Sequence, residues 1–208
     1  HYGEDGASDK AGSSASAKSG GNVRLRLEVS PQQDGFVDVK ATYSFEGNLP
    51  ELPRLGLMLK LPRVAYDLVK WYGRGPWENY QDRKNAAFIG RYKTTVTEMA
   101  EHYLRAQTMG GRCDTNWMTL SDIHGKGIKI TSIDKTFDFS ALHYTDKDLW
   151  ETKYSHSLSD IYRPEIVINI DCIQRGLGNA SCGPGPRPQY EIKPNMVYEY
   201  SFWMAPLE

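Results

Sequence analysis

An all-β fold of antiparallel strands is predicted by three features of this 208-residue chain. Apolar and polar residues alternate with a period of two in three early runs, clusters of Gly, Pro, Asn and Asp separate the runs, and only one segment carries a helical stripe. Successive side chains on a strand point to opposite faces, so this alternation describes strands with one buried face.

Residues 1–22 are mainly Gly, Ser, Ala, Asp and Lys. That composition buries too little to offset the entropy of ordering and reads as a linker or loop before a single domain over 23–206. Val23, Leu25, Leu27 and Val29 then alternate with Arg24, Arg26 and Glu28, the pattern of a half-buried strand. Pro31 to Gly35 turns the chain into a second run, Val37, Val39, Ala41, Tyr43 and Phe45, which predicts an antiparallel neighbour. Leu55, Leu57, Leu59 and Leu61 form a third run, closed by Pro62.

Further strands are expected near 66–72, 127–133, 136–143, 165–173, 189–192 and 197–204, about nine in all, which favours a sandwich over βαβ units. Thr145-x-x-Asp148 resembles a capping box, and Trp150, Tyr154 and Leu158 follow at a spacing of four. Together they predict one helix with an apolar stripe, plugging an end of the sandwich. No internal repeat is evident.

Lys and Arg number 25 against 26 Asp and Glu, so no basic field exists to hold nucleic acid or an anionic membrane. No run approaches the roughly 20 apolar residues of a spanning helix. Cys113, Cys172 and Cys182 are three, without C-x-x-C spacing, so neither a zinc site nor a disulfide framework is indicated. His102, His124, His143 and His156 show no ligand spacing and read as surface or core residues. No metal and no cofactor are expected. The chain begins at His1 and lacks a basic-then-apolar leader, so it reads as part of something longer.

The densest unusual segment is Gly73-Arg74-Gly75-Pro76-Trp77-Glu78-Asn79-Tyr80-Gln81-Asp82-Arg83. Two readings are open. Mixed charges so close in sequence tend to satisfy one another, which makes a hydrogen-bonded structural knot the first; a sugar subsite is the second, because sugar rings stack on aromatic faces. Aromatic residues make up 12% of the chain, a share that sheet proteins reach without binding sugar. Cys113, beside Arg112, reads as a buried small hydrophobe. Asp171 faces away from the apolar set of its strand and is expected to pair with Arg175 or with an arginine of the 73–83 segment.

This segment resembles the signature of the small-chain, C-terminal domain of family 2 β-galactosidases related to the bacterial lac enzyme. Four other segments resemble that family in order and spacing: Gly110-Gly111-Arg112-Cys113-Asp114, Phe139 to Leu149 with His156, Asn169-Ile170-Asp171 with Gly176-Leu177-Gly178, and Val197 to Phe202. The resemblance runs from about Val23 to Met204.

The resemblance implies an antiparallel supersandwich similar to galactose mutarotase, expected here to lack its first strands and to leave an edge exposed. It implies an accessory role beside a separate (β/α)₈ barrel, which holds the two glutamates of retaining hydrolysis about 5 Å apart. That barrel lies outside this sequence, so no residue here is expected to be catalytic. Glu78, Glu98 and Glu101 are not promoted, and the chain alone is expected to be inactive. The partners implied are the barrel and other domains of a homo-oligomeric parent and a galactoside substrate. The parent compartment, cytoplasm or periplasm, stays open.

In the family a loop after the G-x-G reaches the active site and offers a Trp. Here that stretch reads Gly178-Asn179-Ala180-Ser181-Cys182-Gly183-Pro184-Gly185-Pro186, with Cys182 or Gly183 in the Trp place. Asn179, Ser181, Cys182 and Gly183 are the substrate-adjacent candidates; closing the turn is the alternative role for Asn179 and Ser181. Two further classes stay open. A mutarotase-like aldose epimerase needs Glu78 and His143 or His102 across one concave face. A free carbohydrate-binding module needs an exposed aromatic row, for which Trp77, Tyr80 and Tyr92 are the nearest candidates.

Overall fold

The computed structural model describes residues 20–62, 67–179 and 183–207. Among these are eleven strands: Gly21–Pro31 (β1), Val37–Gly47 (β2), Arg54–Pro62 (β3), Leu68–Gly75 (β4), Phe88–Thr95 (β5), Arg112–Thr115 (β6), Trp117–Ser121 (β7), Gly127–Ser132 (β8), Phe137–Leu142 (β9), Glu165–Gln174 (β10) and Tyr198–Leu207 (β11). All pairings are antiparallel. They build a seven-stranded sheet ordered β1-β2-β11-β8-β7-β4-β5 and a four-stranded sheet ordered β3-β10-β9-β6. The all-β sandwich predicted from the alternation is the fold observed.

The core lies between the sheets. Val39, Ala41 and Tyr43 of β2, Val69 and Trp71 of β4, and Tyr200 and Phe202 of β11 meet Ile166, Ile168 and Ile170 of β10. Two tyrosines tie the layers together: the Tyr43 hydroxyl donates to Gly56 O at 2.9 Å and the Tyr200 hydroxyl to Ile170 O at 2.8 Å. Each satisfies a polar tip that would otherwise cost free energy on burial.

The small sheet is buried on its other face as well. Val167, Ser140 and Cys113 are 3% exposed or less there, beneath the 76–87 and 97–111 loops and a short helix. These loops form a third layer, in which buried Met99, Ala106 and Met109 accompany polar residues, and the candidate site is built in it.

β1 corrects one expectation. Val23, Leu25, Leu27 and Val29 pair opposite Phe45, Tyr43, Ala41 and Val39, so they share the face that β2 buries. Yet they are 43–54% exposed. β2 lies over β3, the edge of the narrower sheet, so β1, on the outer side of β2, overhangs that edge. The alternation gives the face correctly; whether anything covers that face is decided by the width of the opposite sheet.

Three other expectations change. The helix is only Asp146–Glu151 (α1), followed by a 3₁₀ helix at Ser155–Ile161. Trp150 and Tyr154 are therefore exposed while Leu158 is buried, and the three form no stripe. The 189–192 strand is instead a 3₁₀ turn at Pro188–Tyr190 followed by a single bridge from Leu52 to Ile192. Pro188 has no N–H to give a ladder, which favours the turn. The linker reading falls on residues outside the description up to 19, and Gly21 and Asn22 already belong to β1. The capping box is present: Thr145 Oγ1 accepts from Asp148 N at 3.2 Å and Asp148 Oδ2 from Thr145 N at 2.7 Å.

Candidate functional site

β4 ends at Gly75 and the chain crosses onto the outer face of the small sheet, where the polar residues of 73–83 meet partners from distant segments. Arg74 Nε bonds Asp114 Oδ2 at 2.5 Å and its Nη1 donates to Ala87 O at 2.8 Å, while Lys84 Nζ reaches Asp114 Oδ1 at 2.7 Å. Burial works against ionisation of Asp114, but the hydrogen bonds from Lys84 and Arg74 outweigh it and hold the carboxyl below its ordinary value.

Glu78 accepts from the Tyr80 hydroxyl at 2.9 Å, from Gly110 N at 3.0 Å and from the Tyr103 hydroxyl. Asn79 accepts from Cys113 N at 2.8 Å, and Gln81 donates to Asp138 at 2.7 Å. Buried polar groups leave water at a cost unless bonded, and these bonds supply partners for Glu78, Asn79 and Gln81. Arg112, 3% exposed, lies over the Trp71 ring at 5.2 Å and donates to Gly111 O; burial brings its pKa down to about 10. Cys113 is buried, and loss of solvation pushes its thiol far above the range of a nucleophile.

Asp82 and Arg83 lie at the rim. The Asp82 carboxylate accepts from Leu177 N at 3.0 Å and from Gly178 N at 2.7 Å. Gly176 passes so close that a Cβ would sit 2.9 Å from Asp82 Cγ, and Gly178 has a φ of +59° with a Cβ position 2.5 Å from Gly185 C. Both positions exclude a side chain. Asn179 N donates to Pro184 O at 2.9 Å and closes the loop. The segment around Asp82 and the G-x-G stretch thus meet through one carboxylate, although 95 residues separate Asp82 from Leu177.

Beside this clamp opens a cleft of about 550 Å³, lined in part by Asp82, Arg83, Asn85, Asn179, Arg187 and Tyr190. Asn179 is at the cleft; Gly183 is exposed nearby, while Ser181 and Cys182 lie outside the described residues. Asn85, Arg187 and Tyr190 were not singled out from sequence. The signal for Arg187 was its place between Pro186 and Pro188, which stiffen the backbone on either side.

Two pairings differ from expectation. Asp171 pairs with Arg54, Nε to Oδ2 at 3.3 Å, because β3 is the neighbour of β10, and Arg175 is taken by Glu51. The aromatic row is not formed: Trp77 is 71% exposed, Tyr80 is buried at 2%, and Tyr92 packs on Trp71 at 5.4 Å.

Chemically, the cleft offers amide, phenol and guanidinium groups for hydrogen bonds to a polar ligand. It offers no free carboxylate pair, since Asp82 is committed to backbone N–H groups. Among the described residues no cluster of His, Cys, Asp and Glu could hold a metal ion.

The fold and this site define an all-β sandwich whose third layer, built of loops, holds one loop in place. The family model for the β-galactosidase small chain matches residues 5–204, and the chain belongs to that family. It is 38% identical over 173 residues to a β-galactosidase of Staphylococcus xylosus, covering 82% of this chain and 17% of that protein. It is 35% identical over 179 residues to a β-galactosidase of Vibrio cholerae, covering 85% of this chain and 16% of that protein. A β-galactosidase of Priestia megaterium is 30% identical over 175 residues, covering 84% and 16%. The chain therefore spans about one sixth of the length of these curated relatives.

Proposed function

We propose that this chain is the accessory sandwich domain of a retaining β-galactosidase, lending the 178–187 loop to an active site whose catalytic glutamates lie in a separate barrel of the same polypeptide. The Asp82 clamp carries this reading. A carboxylate spent on two consecutive backbone N–H groups performs no acid–base chemistry, but it fixes the direction in which a loop leaves the domain. Asn179, Ser181, Cys182 and Gly183 are the loop residues that would approach the galactoside. Arg83, Asn85, Arg187 and Tyr190 extend that surface and would donate to sugar hydroxyls or to carbonyl and carboxylate groups of the barrel.

The overhanging apolar row of β1 is the face on which the rest of the polypeptide packs. Fully burying a Val or Leu contributes about 1.5–3 kcal/mol, and roughly half of that is unrealised at these four positions. The parent is a homo-oligomer acting on terminal β-D-galactosides.

The epimerase reading is disfavoured by one observation. Glu78, which that reading needs beside either His143 or His102, is engaged by two tyrosines and Gly110, and His143 is 2% exposed with its ring tilted against Tyr162 at 4.2 Å. A buried imidazole does not reach an anomeric hydroxyl.

The test is hydrolysis of a chromogenic β-galactoside by the purified chain. No turnover is expected; turnover that survives repurification would overturn the accessory role.

A further inference from the structure

We propose that α1 and the 105–108 loop form a second saccharide site, which binds a neutral pyranoside ring against Trp150. Trp150 is 89% exposed, although its neighbour Leu149 is buried at 3%. An indole left so far in water forgoes the large burial that usually holds a Trp in place, unless a ligand covers it.

The ring borders a cleft of about 500 Å³, separate in its residues from the one at Asp82. Ala106 and Leu149 give it an apolar floor, and Arg105, Gln107, Thr108 and Asp146 give it polar walls. An apolar base with a few directed polar groups is the composition of small-molecule sites, and the volume falls in their range.

Asp146 and Trp150 are four residues apart on α1, so carboxylate and indole share one face of the helix. The carboxylate is held in position: Arg54 Nη1 donates to both its oxygens, at 3.0 and 2.9 Å, and Arg54 Nε is itself anchored on buried Asp171 at 3.3 Å. A carboxylate has about four acceptor sites, so Asp146 retains capacity for two sugar hydroxyls. Its charge is balanced by Arg54, which lowers the cost of covering it with a neutral ligand. Arg105, Gln107 and Thr108 all line this cleft and bring hydrogen-bond donors to it. A pyranoside matches the arrangement, with its C–H face on Trp150 and its hydroxyls toward Asp146 and Gln107.

The experiment is an amide and indole N–H spectrum of the ¹⁵N-labelled chain, titrated with methyl β-D-galactopyranoside and, separately, methyl β-D-glucopyranoside. With either glycoside the Trp150 indole signal is expected to move saturably, with an affinity on the order of 1 mM, while the other four Trp signals stay in place. Calorimetry should show binding weakened at least about tenfold by Trp150→Ala and by Asp146→Asn, with each variant still folded by its amide spectrum. A Trp150 signal that neither glycoside moves, or binding that survives Trp150→Ala, overturns the proposal. Neither result bears on the loop at Asp82.

Discussion

Asp82 and Gly178 are joined by a 2.7 Å hydrogen bond from backbone N–H to carboxylate, doubled by the bond from Leu177 at 3.0 Å. Charge-assisted bonds of this kind contribute about 1.5–3 kcal/mol each when buried and less at a rim. Asp82→Ala should free the loop: amide exchange at Leu177 and Gly178 rises by at least about tenfold. The global unfolding midpoint should move little, because the core is untouched. Unchanged exchange would show that the prolines alone hold the loop.

Asp171 gives a pH signature. Burial pushes its carboxyl up to about 8, with the Arg54 guanidinium opposing. Its unfolded value is about 3.9, so the folded state holds the proton longer. Its contribution to stability is full below about pH 4 and is lost as pH rises through about 8. Asp171→Asn cannot ionise. Its urea midpoint relative to wild type should therefore climb between those limits and stay level below them, as a pH series would show. A difference independent of pH would contradict the assignment.

Asp148 titrates with the opposite sign. Hydrogen bonds from Arg163, at 2.5 and 2.7 Å, outweigh burial and, with those from Thr145, hold its carboxyl well below the usual range. A depressed acid stabilises above its unfolded value and loses that stability as pH falls through the folded one. Asp148→Asn should cost about 0.5–2 kcal/mol at pH 7, the magnitude of a helix cap. Thermal melts should show the gap narrowing below about pH 4.

The covered and the overhanging parts of the inner face should respond unequally to truncation. Ile168→Ala, at 0% exposure in the core, should cost about 2–5 kcal/mol. Leu27→Ala on the overhanging row, 47% exposed, should cost less than about 1 kcal/mol in this chain. Denaturant curves of the two variants measure the contrast.

The fold was legible because alternation reports directly which side chains share a face: the runs at 23–29, 37–45 and 55–61 are all strands. β5, β6 and β7 were missed. Phe88–Thr95 is an edge strand with no buried side chain and little alternation to read, and Arg112–Thr115 is only four residues long with every side chain at least half-buried. The Trp150 stripe failed because the spacing continued while the helix stopped at Glu151. Of the site, Asn179 and Asp82 were visible in the motifs. Their meeting was not, since no local pattern announces contact between strand ends so far apart in the chain. Arg54 escaped for the same reason: its partnership with Asp171 follows from which strand lies beside β10.

The most direct measurement compares kcat/KM for a chromogenic β-galactoside between the longer polypeptide and a variant whose residues 179–185 are replaced by a short Gly-Ser connection. The account predicts a fall of at least about tenfold with the thermal midpoint retained, as loss of a positioned binding surface implies. An unchanged kcat/KM in the folded variant would contradict it and remove this loop from the active site.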